Sequence, residues 1–149
     1  MHKPARVITG GDAHLSRATQ LAHEQLYEAA AGEYEAALTS RPNDPRIHLQ
    51  HAVCLLNLGR NEEARKEFEK VRDMAGESRY VTYYLGRIDL LANDYESAIK
   101  RLGAVAANPP FRDTAFHLGV AYASFGDDKA AIQWLEQAVK ALPRDYRVH

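Results

Sequence analysis

The apolar pattern of this 149-residue chain copies itself along its length. Leu85-Gly86 recurs as Leu118-Gly119, and Asn93, Ala98, Leu102 and Pro110 recur as Gly126, Ala131, Leu135 and Pro143, each 33 residues on. Going backwards, Gly59, Ala64 and Phe68 stand 34 residues before Asn93, Ala98 and Leu102, and Ala30, Tyr34 and Ala37 stand 34 before Ala64, Phe68 and Val71. A period of this size marks a repeat architecture. It divides the chain into an N-terminal arm at 1–10 and units at 11–44, 45–78, 79–111 and 112–145.

Each unit is expected to be a pair of helices. Gly59, Asn93 and Gly126 fall where a first helix must reverse, and Gly or Asn ends a helix in the left-handed conformation at low steric cost. Asn61, Asp94 and Asp127 or Asp128 follow as caps of the second helix, and Asp44-Pro45 reads as a cap with proline at the first helical position. Ala30, Ala64, Ala98 and Ala131 are the small residues that let two helices approach, while Tyr34, Phe68, Leu102 and Leu135 fill the space beside them. Some positions depart from the pattern. Gln25 replaces the turn glycine of the first unit and Gly32 lies within its second helix, so that hairpin is expected to be the least sharply specified. Gly76 replaces the closing proline of the second unit, and Asp89 stands where Leu21, Leu55 and Tyr122 sit, a position that buries a carboxylate and so requires a partner for it.

These landmarks resemble the tetratricopeptide repeat: a Leu-Gly pair and an aromatic in the first helix, then a small residue, a large one and another small one in the second, closed by proline. The fourth unit matches most fully, with Leu118-Gly119, Tyr122, Gly126, Ala131, Leu135, Ala138 and Pro143. The resemblance implies an all-α fold, a right-handed α-solenoid of about four helix-turn-helix hairpins, and a role in holding another protein rather than in catalysis. The segment Pro143 to His149 repeats the proline, Asp, Arg, β-branched and His positions of Pro42 to His48, so 146–149 reads as the start of a truncated fifth repeat. An array without a polar cap leaves the last apolar face open. Ile132, Leu135 and Val139 would then favour self-association or belong to a longer protein.

The resemblance also implies a concave groove lined by first-helix residues. Projected here it runs from Asp12, Ser16, Thr19 and His23 through Arg46, Gln50 and Asn57 to Tyr80, Tyr83, Tyr84 and Arg87, then Asp113, Phe116 and His117. The aromatic and cationic group from Tyr80 to Arg87, with Phe116 and His117, is the most interface-like, because Tyr and Arg dominate binding hot spots. The clamp by which some relatives grip a peptide carboxylate is absent: Leu15, Thr19, Gln50, Tyr80 and Tyr84 stand at its five places in units one to three. His48 and His51 lie three apart and could share a metal, but no third ligand has recognisable spacing, and His48 aligns with His14 as a packing position. Cys54 aligns with Ala121 and reads as a small buried residue. The stretch from Asn61 to Lys70 alternates in charge as a solvated face would.

Charge and composition narrow the classes further. Lys plus Arg number 19 against 20 Asp plus Glu, a net charge of -1, which argues against nucleic acid as the partner. No apolar run reaches the roughly 20 residues of a membrane span, and the one cysteine fits a reducing compartment. The expectation is a cytoplasmic interaction scaffold with a protein or peptide partner, no cofactor, no metal and no catalytic residue. The alternatives are a module that assembles with itself through its last repeat, or the docking piece of a larger protein.

Overall fold

The computed structural model describes residues 10–142. The arm at 1–9, Pro143 and the segment 146–149 lie outside the described residues. Gly10 belongs to the first helix rather than to an arm. Helix α1 (Gly10–His23) pairs with α2 (Tyr27–Ser40), α3 (Pro45–Asn57) with α4 (Asn61–Ala75), α5 (Arg79–Leu91) with α6 (Tyr95–Val105), and α7 (Thr114–Phe125) with α8 (Asp128–Ala141). Among the described residues there is no strand, and no helix is long and apolar enough to cross a membrane. The chain divides into two compact units at Gly76, one holding α1 to α4 and the other α5 to α8.

In the first unit α2 packs on both α1 and α3. Ala18, Ala30, Ala31 and Ala37 let the backbones approach, and Tyr34, Ile47 and Cys54 fill the space between them. In the second, Tyr83, Leu102, Val105 and Leu118 form a buried cluster edged by Tyr84, Tyr122 and Trp134. Each large apolar side chain so buried contributes about 1.5–3 kcal/mol. The Leu-Gly pairs acquire a physical reason in this unit. A Cβ on Gly86 would lie 2.9 Å from Leu102 Cγ, and one on Gly119 would lie 2.8 Å from Leu135 Cγ, so a larger residue would have to displace the leucine packed over it.

All four hairpins turn in one way. Gln25, Gly59, Asn93 and Gly126 all adopt positive φ, at 62°, 78°, 62° and 103°. The following amide reaches back to the carbonyl of Leu21, Leu55, Asp89 or Tyr122 respectively, which closes the end of the first helix. The first hairpin therefore adopts the same turn as the others, despite its glutamine. Asp44, Asp94 and Asp127 cap α3, α6 and α8 by accepting from Arg46, Ser97 and Ala130 amides. Asn61 does not cap α4. Arg60 occupies the cap position, in register with Asp94, and Asn61 is the first helical residue, its buried Oδ1 without a hydrogen-bond partner among the described residues.

Candidate functional site

Ser78 caps α5 by accepting from the Val81 amide at 3.2 Å, and from there Tyr80, Tyr83, Tyr84 and Arg87 follow at helical spacing along one stripe. Asp113, at the N-terminal cap position of α7, and Phe116 and His117 within that helix follow a similar spacing. The loop before α7 is fastened by Thr114, whose hydroxyl donates to the Phe111 carbonyl at 2.8 Å, and this brings Phe111 onto the tyrosines. Ring centroids of Phe111 lie 4.8 Å from Tyr83, 5.6 Å from Tyr84 and 5.8 Å from Tyr80. Tyr83 is edge-on to Tyr84 at 5.2 Å and to His117 at 6.2 Å, and Phe116 meets His117 at 5.4 Å. Six of the sequence-predicted residues, Tyr80, Tyr83, Tyr84, Arg87, Phe116 and His117, thus stand together in the second unit.

Polar groups order this aromatic cluster. The Tyr83 hydroxyl donates to Asp113 Oδ1 at 2.6 Å, and His117 Nε2 lies 3.2 Å from Asp113 Oδ2. Burial, reinforced by the bond to Asp113, pushes the Tyr83 hydroxyl far above its ordinary value, and burial also raises Tyr84. Burial, together with the Arg87 charge, lowers the pKa of His117, which favours a neutral ring. The Arg87 guanidinium lies 5.8 Å from the Tyr83 ring centroid, and Arg79 lies 5.2 Å from that of Tyr80. An open pocket of ≈ 410 Å³ remains between Tyr83, Tyr84, Arg87, Phe111, Arg112 and Asp113. Phe111 is buried less than Tyr83 and Phe116 is 49% exposed, so the surface offers aromatic area to a ligand.

Arg46 and Gln50 are placed elsewhere, in a pocket of ≈ 760 Å³ in the first unit, beside Asp12, Ser16 and Thr19. Its charges are paired internally, Arg41 with Asp12 and Arg46 with Asp44. Asn57 lines neither pocket; its amide donates back to the Val53 carbonyl at 2.9 Å.

The histidines of α3 serve packing. His48 Nδ1 is 2.6 Å from Glu67 Oε2 and its Nε2 is 2.7 Å from the Pro42 carbonyl, while His51 lies 3.3 Å from Glu67 and 3.2 Å from Glu35. Glu67 is buried, which corrects the reading of Asn61 to Lys70 as a wholly solvated face. Burial alone would raise its carboxyl, but hydrogen bonds from His51, His48 and Lys70 bring it down to about 2. His14 and Glu33 make the equivalent pair one repeat earlier, so the spacing of 19 between His and Glu was a signal present twice in the sequence. Asp89, 1% exposed, finds its partner in Arg101 of α6 at 2.6 Å. Among the described residues no group of three His, Cys, Asp or Glu side chains is arranged around a metal position. Phe111 and Arg112 were missed by the projection from first helices because they belong to a loop.

Two models of the tetratricopeptide repeat match the chain, one over residues 21–88 and the other over 83–146. A U-box domain-containing protein, number 70, of Oryza sativa subsp. japonica is 29% identical over 90 residues, 59% of this chain but 11% of that protein. The chain thus spans a small fraction of this curated relative. Among solved structures, MamA from Desulfovibrio magneticus RS-1 superposes with a TM-score of 0.77 at 23% identity, over 91% of this chain and 77% of that one. Another MamA crystal structure gives 0.73 at 21% identity, over 89% and 73%. These structural likenesses show the fold.

Proposed function

The chain belongs to the tetratricopeptide repeat family, and on that premise we propose that it is a protein-interaction module which holds a segment of its partner on the α5–α7 face of its second unit. The observation that carries this reading is the aromatic group of Tyr80, Tyr83, Tyr84 and Phe111, with Arg87 near the Tyr83 ring and the Tyr83 hydroxyl already ordered by Asp113. Rigid aromatic rings and guanidinium groups supply most of the binding energy at protein interfaces. Ordering them in advance lowers the entropy lost when a ligand docks. Binding here does without the carboxylate clamp, whose places are taken by Gln50, Tyr80 and Tyr84 among others. The test is photocrosslinking from a benzophenone placed at Tyr80. A discrete adduct is expected, and Tyr84→Ala should weaken its formation by an amount corresponding to about 2 kcal/mol while leaving the helical circular dichroism unchanged. An adduct that forms equally in the variant would remove this surface from consideration.

A second reading concerns the last hairpin. Phe116, Leu135, Val139 and Leu142 line an apolar pocket of ≈ 460 Å³, and Ile132, Val139 and Leu142 are respectively 57%, 54% and 45% exposed. An apolar surface of this kind supports assembly of copies through the face of α8.

A further inference from the structure

We propose that the α5–α7 surface selects an acidic segment of its partner, one that places an Asp or Glu carboxylate beside an aromatic or aliphatic residue; this rests on the partner-binding role just assigned to the surface. The arginines find their counter-charges unevenly. Three of them, Arg79, Arg87 and Arg112, belong to this one face, and none has a carboxylate within ion-pair distance among the described residues. Every other arginine among those residues has one. The first unit makes the contrast plain, because the arginines at its own pocket are neutralised by Asp12 and Asp44.

The carboxylate nearest the second pocket is already engaged. Asp113 accepts the Tyr83 hydroxyl at 2.6 Å and lies 3.2 Å from His117, so both of its oxygens already have partners. Arg79 and Arg87 lie near the tyrosine rings instead. A guanidinium presents a planar fork of donors that matches a carboxylate, and a ligand carboxylate could use these forks without first breaking an ion pair. A basic ligand would meet Arg87 and Arg112 in the pocket wall, against the carboxylate of Asp113, which is already hydrogen-bonded. Tyr84 and Phe111 wall the same ≈ 410 Å³ pocket and give an apolar residue somewhere to bury beside the charge contact. Guanidinium and aromatic groups together also suit a single-stranded nucleic acid. A protein segment is favoured because the chain carries a net charge of -1 and so lacks the basic field that would track a phosphate backbone.

Random dodecapeptides displayed on phage and selected on the immobilised full chain test the proposal. Enriched peptides should be rich in Asp and Glu around an aromatic or aliphatic residue. The synthesised consensus should bind about two- to fivefold more weakly to Arg112→Gln, the loss expected of one exposed charge pair. Arg112 is exposed, so this variant keeps the fold. Enrichment of neutral or basic peptides whose binding is lost in Tyr84→Ala would overturn the acidic preference and leave the surface itself standing. Peptides that bind Tyr84→Ala as well as wild type would overturn both. A 20-nucleotide oligouridylate that binds more tightly than the consensus peptide, with a steep salt dependence, would reassign the surface to nucleic acid.

Discussion

His51 sits between two carboxylates, Glu67 of α4 and Glu35 of α2, so its imidazolium ties the first hairpin to the second. Burial alone would lower its pKa, but the bonds to Glu67 and Glu35 outweigh burial and raise it above 6.5. The sign of the pH dependence follows. A histidine whose folded value is raised contributes fully below 6.5, and its contribution disappears as the pH climbs through the folded value. Glu67, lowered from 4.5 to about 2, contributes above 4.5 and loses its contribution as the pH falls toward 2. Thermal midpoints should therefore peak between about pH 4.5 and 6.5 and decline on both sides. His51→Gln should flatten the alkaline decline and keep the acid one; an alkaline limb identical to wild type would assign it to another group. Of this cluster the sequence disclosed that His48 packs, through its register with His14. Glu67 was signalled only by its spacing of 19 from His48, which repeats that of Glu33 from His14, and the alternating charges around it read as a solvated face.

At the level of helices and turns, one conformation is written in three residue types. Glycine and asparagine announce a left-handed turn, so Gly59, Asn93 and Gly126 were legible. Gln25 was not, because there the packing of α1 against α2 imposes the conformation on a residue with no preference for it. That residue bears a backbone cost which glycine does not. Gln25→Gly should accordingly stabilise the protein by about 0.5–1 kcal/mol, and Gly126→Ala should destabilise it by about 1 kcal/mol, both read from urea midpoints at constant slope. No atom lies within 4 Å of a Cβ built at Gly126, so the loss there would come from the backbone alone. The cap of α4 was misplaced by one residue for a related reason. Asn61 has the chemistry of a cap, but the turn geometry common to the four hairpins puts Arg60 in that position.

Across the whole molecule the repeat decided the architecture before any local feature did, and four copies of one weak pattern made the fold readable. The binding surface was readable only in part. Helical spacing gathered Tyr80, Tyr83, Tyr84 and Arg87, but Phe111 and Arg112 reach the same place through a loop whose path depends on Thr114. The exposed apolar face of α8 is a property of the same scale. Val139→Asp, at a position 54% exposed, should leave the melting temperature nearly unchanged and shift any oligomer seen by light scattering toward monomer. A monomer at all concentrations for wild type would dismiss self-assembly through this face.

Cys54, the chain's one cysteine, is 2% exposed, and burial pushes its thiol up to about 11. At neutral pH it is held as the unreactive thiol behind a wall of side chains. The native protein therefore serves as its own cysteine-free background: a cysteine introduced at the rim of the α5–α7 surface would carry a maleimide dye alone, and a partner's arrival could be followed by fluorescence without removing a single native residue from the core.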